Sequence, residues 1–287
     1  MILVCGATGD LGGRIARLLV EAGEPCLALV RPGTDASGLE DAGIAVVRGD
    51  LREPESLGPA LAGIDTVVTT ANANRAALDT TGNQSLVSAA GRAGVRRFVF
   101  VSAAGMGQEM ARTGPLMAGK WRTEQALRAS PMQAVLVRPD MFQEAWLGAP
   151  MFDPVSRTAM VVGSGQSAHR YVAIDDVAAL CAHVAVAPDP GEVLEFGGPE
   201  PLTQRQVVAA YEDATGRAFR VRRVPRAALR VAHLALARVK PDIGLGLALS
   251  AFMDAHPATW DDAALRDAGV APRAPRAFIE QAAAVAA

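Results

Sequence analysis

The sequence predicts an α/β protein built on a doubly wound parallel sheet, and three observations predict it. Short, continuously apolar runs alternate with helical periods through the first half, as expected of strands covered by helices on both faces. The helical segments of that half end in one recurring dipeptide, at Ala22-Gly23, Ala42-Gly43, Ala62-Gly63 and Ala93-Gly94. Glycine accepts the left-handed conformation that closes a helix, so each dipeptide reads as a helix end placed just before a strand. A glycine-rich turn also joins the first strand to the first helix.

Ile2-Leu3-Val4-Cys5 is the first strand, and Leu11 to Ala22 has helical periodicity. Cys26 to Val30, Ala45 to Val47, Thr66 to Val68 and Phe98 to Val101 read as the next four strands, and Ala134 to Val137 as a sixth. After Arg138-Pro139 the alternation loosens. Thr158 to Val162, Glu192 to Phe196 and Phe219 to Val224 read as strands, and Asp176 to Val186 as a helix. Thr203 with Gln206 three residues on is a capping-box pattern opening another helix. Ala227 to Phe252 reads as two helices, because Arg230, Arg238, Lys240, Pro241 and Asp242 interrupt it. The expected division is residues 1–140 for the sheet domain and 141–287 for a smaller, mostly helical, substrate-binding lobe, some of whose chain returns to the sheet.

The 287 residues suffice for a packed core, and half of them are hydrophobic while a fifth are charged. Net charge is −2 with Lys and Arg reading as scattered, so no nucleic-acid partner is expected. Cys5, Cys26 and Cys181 form no C-x-x-C pair, and an odd count argues for buried reduced thiols. The first strand begins at Ile2, so no signal peptide is expected. No apolar run reaches the ~18 residues that span a bilayer, so no membrane partner is expected either. A cytoplasmic protein, monomeric or homodimeric, is the expectation.

The turn after the first strand is Gly6-Ala7-Thr8-Gly9-Asp10-Leu11-Gly12-Gly13. Gly6 permits the tight turn, Gly9 lets the backbone approach a pyrophosphate, and Gly12 allows close packing of helix on strand. The helix then offers free N–H groups and a positive dipole end to phosphate. This is a dinucleotide site of the Rossmann type, with Gly6, Thr8, Gly9, Asp10, Leu11 and Gly12 as its residues. The second strand ends in Arg31 rather than an acid, and a guanidinium there suits a 2′-phosphate, which points to NADPH. Asp35 comes too late to hold a ribose at the strand tip. Ala71 and Asn72 follow the fourth strand at the carboxyl edge, where ligands lie in open α/β sheets.

The G-A-T-G-x-L-G form of the loop resembles that of the NmrA-like branch of atypical short-chain dehydrogenase/reductases, which includes quinone, triphenylmethane and benzylic ether reductases. Further matches are Arg31, Gly49-Asp50-Leu51, Asn83, Ser102, Lys120-x-x-x-Glu124, Arg138-Pro139, Phe142, Tyr171 to Ala178 and Gly198-Pro199-Glu200. The resemblance implies that Asp50 and Leu51 border the adenine, although Asp50 also reads as a plain turn cap. It places Ser102, Lys120 and Pro139 against the cofactor.

The chain departs from the standard Tyr-x-x-x-Lys pattern of that superfamily, because Leu116 stands four residues before Lys120. An orthodox tyrosine-dependent alcohol dehydrogenase is therefore not expected. The resemblance makes Lys120 the candidate catalytic residue, as general acid or base or as a hold on the ribose. A helix-surface lysine paired with Glu124 is the alternative. Met106, Met141, Phe142 and Trp146 lead a soft apolar group expected to wall a pocket for a small apolar, quinone-like or conjugated substrate. The same group includes Met110, Met117, Met151, Phe152 and Met160. His169 reads as a solvated loop histidine, and the other histidines lack metal-ligand spacing, so no metal is expected. A dinucleotide-sensing regulator and a non-redox tailoring enzyme or isomerase stand as alternatives to a reductase.

Overall fold

A computed structural model describes residues 1–71, 81–236 and 239–286. Six strands form in the order expected: β1 (Ile2–Cys5), β2 (Cys26–Val30), β3 (Ala45–Arg48), β4 (Thr66–Thr69), β5 (Arg97–Val101) and β6 (Gln133–Pro139). They are followed by β7 (Phe152–Asp153), β8 (Thr158–Val162), β9 (Ala168–His169), β10 (Val193–Phe196), β11 (Leu202–Thr203) and β12 (Arg220–Val224).

Seven strands make the main sheet, in the order β10-β6-β5-β4-β1-β2-β3. The pairs from β3 across to β6 are parallel. Leu136 N–H donates to Glu192 O and Asp140 N–H to Phe196 O, so β6 and β10 also advance together. Strand order reverses between β1 and β4, which is the switch point where ligands bind in this class of sheet.

Residues of β1, β4 and β5 are all buried, as strands covered on both faces should be. Leu3, Val67, Leu86, Phe98, Phe100 and Leu136 belong to one apolar cluster. Each such side chain taken out of water contributes about 1.5–3 kcal/mol. All four glycines of the Ala-Gly dipeptides adopt positive φ, between 73° and 78°. That confirms them as helix terminators, a role in which any Cβ is strained.

The chain divides into two compact units, residues 1–138 with 177–194, and residues 139–176 with 195–287. In the first, Arg97 opens β5 with a buried guanidinium that donates to the carbonyls of Val184 and Ala185. A buried cation is tolerated here because its N–H groups find acceptors.

In the second unit, β8 pairs with β12 in parallel and with β7 antiparallel. Tyr211 packs between Phe152 and Phe219, with ring centroids at 6.2 and 5.6 Å, and its hydroxyl donates to Leu147 O at 2.6 Å. Thr203 and Gln206 form the expected capping box. His169 overturns its expectation. It is 3% exposed, its Nε2 lies 3.0 Å from Met253 O and its Nδ1 3.4 Å from Asp140 Oδ1, because β9 pairing with β11 draws it inside.

Candidate functional site

Five strand ends of the first unit, those of β1 to β5, and the helix that follows β1 carry the candidate cofactor residues. Gly6 sits at φ +87°, a conformation that L side chains rarely adopt. A Cβ on Gly12 would stand 2.3 Å from Gly6 O, so the helix Asp10–Glu21 reaches this close to β1 only because position 12 lacks a side chain. Gly9 is the N-cap and has no side-chain cap. The first N–H groups of a helix lack partners within it, so this end presents donors and a positive dipole end.

The neighbouring β4 tip is braced against the same turn. Thr70 N–H donates to Cys5 O at 3.0 Å, and a Cβ on Gly6 would meet Thr70 Oγ1 at 2.7 Å. Asn83, on the helix Gly82–Ala93, accepts from the Thr69 hydroxyl at 3.0 Å and donates to Ala71 O at 2.9 Å. Asn83 thereby fixes the backbone where Ala71 leaves the sheet. Asn72 lies outside the described residues.

Arg31 follows β2 with its guanidinium exposed. Its loop is tied down by Arg48, the last residue of β3, whose Nη1 donates to Arg31 O at 3.2 Å and Thr34 O at 2.9 Å. Position 48 escaped the sequence reading because an arginine ending a strand has no local signature. Asp50 is buried, and its carboxylate accepts from Arg52 Nε and Nη2 and from Arg52 N–H. Those bonds hold its carboxyl below the usual carboxylate range. Asp50 thus does act as a turn cap, and the exposed part of Arg52 is what this turn offers outward.

Lys120 stands on the helix Pro115–Arg128 and is 7% exposed. Its Nζ donates to Val101 O at 2.7 Å and Ser102 O at 3.4 Å, and lies 5.4 Å from the Phe100 ring centroid. Burial lowers its ammonium to about 8, and the Glu124 carboxylate pulls it partly back up. The surface pair with Glu124 does not form. Glu124 is fully buried and its carboxylate is taken in a two-pronged grip by Arg138 Nε and Nη2. An ammonium has three donors, and two carbonyls engage Lys120 among the described residues, which leaves one N–H to offer there. The Ser102 hydroxyl beside it is buried and has no hydrogen-bond partner among the described residues. An orphaned hydroxyl and a spare ammonium donor at one strand tip fit a polar group such as a ribose.

Of the residues expected to wall a substrate pocket, Met106 belongs to the first unit and Met141, Phe142 and Trp146 to the second, as does Pro139, expected against the cofactor. Met106 and Met141 are buried, whereas Phe142 and Trp146 are half-buried. Met110 and Phe152 are core residues at 1% exposure. Tyr171 is buried and desolvation raises its hydroxyl pKa. Among the described residues no group of three His, Cys, Asp or Glu side chains has the arrangement to hold a metal.

A family model described as NAD(P)H-binding matches residues 6–188. The chain is similar to an NAD(P)H azoreductase of Xenophilus azovorans, 32% identical over 226 residues, covering 77% of this chain and 76% of the relative. It is also similar to the photosystem II assembly factor Ycf39 of Trieres chinensis, 26% identical, covering 78% and 72%. Its fold superposes on Citrobacter sp. triphenylmethane reductase complexed with NADP(H), with TM-score 0.78, 22% identity and coverage of 98% and 100%.

Proposed function

The chain belongs to the NAD(P)H-binding family, in its NmrA-like branch, and on that premise we propose that it is an NADPH-dependent reductase of small, apolar, quinone-like or conjugated acceptors. The observation that carries the reading is Lys120, a buried ammonium beside an orphaned Ser102 hydroxyl, in a unit that contains no tyrosine.

In this reading Gly6, Thr8, Gly9, Asp10, Leu11 and Gly12 grip the diphosphate through backbone N–H groups. Arg31 neutralises the 2′-phosphate, while Asp50 and Leu51 shape the turn that borders the adenine. Ala71, Ser102 and Lys120 hold the nicotinamide half, and Met106 of the same unit supplies an apolar neighbour for the acceptor. The bound cofactor supplies a hydride. A quinone-like acceptor that takes it becomes a stabilised anion, so the protein needs no strong acid at the reacting atom. Lys120 keeps a proton on Nζ at neutral pH, which steadies that anion and fixes the ribose.

The test is loss of NADPH absorbance with a panel of quinones and conjugated dyes, for the wild type and Lys120→Ala. Turnover that falls with the lysine supports the reading. Tight NADPH binding without turnover on any acceptor replaces it with the second reading, a dinucleotide-binding regulator, which similarity to a photosystem II assembly factor favours.

A further inference from the structure

The even scatter of basic residues expected from the whole chain fails in one stretch of the second unit. From Ala214 to Pro241 there are eight Lys or Arg and no Asp or Glu, although acids outnumber bases over the full sequence. Arg220, Arg222 and Arg223 lie exposed on β12, the edge of its three-stranded sheet, with Arg217 exposed just before it. Arg226 is held by Asp254 at 3.1 Å. Among the described residues no acidic side chain pairs with Arg217, Arg220, Arg222 or Arg223.

The same stretch is unusually apolar where it meets water. β12 leads through Pro225 into the helix Arg226–Leu236, on which Leu229 points inward. Ala227, Ala228, Val231, Leu234 and Ala235 all face outward, an apolar stripe at helical spacing on the wrong side of a soluble helix. Val231 is 68% exposed, Leu234 76%, and the following Val239 75%. Five of the ten large apolar side chains exposed among the described residues fall between Val221 and Ile243.

Charge on an edge strand blocks strand pairing, which accounts for arginines on β12 but not for the aliphatic row on the next helix. A second copy docking face to face would set these arginines against their own image. A nucleic acid would use the arginines and leave Val231 and Leu234 wet. Exposed aliphatics that follow directly in the chain on exposed arginines without an acidic partner among the described residues match one environment, an anionic lipid surface, where headgroups meet the cations and the acyl boundary takes the apolar stripe. No helix among the described residues is long and apolar enough to cross a membrane, and lying on one requires no such helix.

We infer that β12 and the helix Arg226–Leu236 form a docking face for an anionic bilayer surface. This goes beyond the reductase reading and stands without it.

The experiment is flotation of the full chain with vesicles of phosphatidylcholine alone and of phosphatidylcholine mixed with phosphatidylglycerol. Binding to the mixed vesicles only, weakened by salt, is expected. Arg220→Gln, Arg222→Gln and Arg223→Gln together should lower partitioning about a hundredfold. Leu234→Ser, at an exposed position that leaves folding intact, should lower it about tenfold or more. Equal behaviour toward the two vesicle types overturns the inference, as does mixed-vesicle binding unchanged in either variant. Arginine-dependent binding of a polyglutamate peptide without vesicle binding overturns it in favour of an acidic protein partner.

Discussion

Lys120 Nζ donates to the Val101 carbonyl at 2.7 Å, and so a helix side chain is tethered to the tip of the strand beside it. The tether holds the ammonium where Ser102 leaves the sheet and keeps it from Glu124, its helical neighbour one turn on. Arg138 completes the arrangement by occupying the Glu124 carboxylate.

Replacing Lys120 by Ala is expected to lower kcat with a quinone acceptor by about a hundredfold or more, within the range for loss of a positioned donor that stabilises a developing anion. For the wild type, kcat should fall as pH rises through about 8, where the ammonium is lost. Lys120→Arg should keep its charge and flatten that profile. A pH–rate series on the three proteins checks it, and an unchanged profile in Lys120→Arg removes the lysine as its source.

The same group sets a stability trend. Burial lowers the folded pKa of Lys120 from 10.5 to about 8. Between those values the unfolded chain carries a proton that the folded chain lacks, so this group makes stability rise with pH across that window. At pH 7 both states are protonated and the burial penalty is present in full. Lys120→Met is therefore expected to gain more stability at pH 7 than at pH 10.5, measured by urea midpoints at each pH.

Gly12→Ala places a Cβ 2.3 Å from Gly6 O, against backbone that has nowhere to go. It should destabilise the first unit by about 1–3 kcal/mol and abolish measurable NADPH binding. Thermal melts with and without NADPH separate the two effects, since binding raises the wild-type midpoint.

Arg31→Ala should weaken NADPH about tenfold to a hundredfold while leaving NADH unchanged, because a charge-assisted bond to a phosphate contributes ~1.5–3 kcal/mol. Arg48→Ala should give a smaller loss of the same kind, since Arg48 holds the Arg31 loop through main-chain carbonyls. Titration calorimetry with both cofactors reads each variant. Equal losses for NADH would mean a general loosening of the site.

Breaking the buried Glu124–Arg138 pair by Arg138→Met leaves an unmatched carboxylate in the core, at a cost of about 3–5 kcal/mol. Changing both partners to apolar residues should recover most of that loss, which a double-mutant cycle on unfolding free energies reads directly.

Much of this molecule was legible in its residues. The strands, the four Ala-Gly helix ends and the Thr203 capping box formed where local pattern placed them. The glycine loop was legible because each glycine answers a constraint within a few residues. The state of Lys120 was not. Its spacing to Glu124 suggested a surface pair, while the fold buried both and gave each a different partner. His169 likewise read as solvated and lies in the core.

Sequence alone determined what local forces decide: alternation of apolar runs, helix ends at glycine, a glycine turn opening the first helix, and an arginine instead of an acid after β2. Only the tertiary structure decided which polar groups share a space. Val101 lies 19 residues from Lys120, Arg138 lies 14 from Glu124, Arg48 lies 14 from Thr34, and Met253 lies 84 from His169. Buried charges must find partners wherever folding brings acceptors within reach, and sheet order rather than sequence spacing sets that reach.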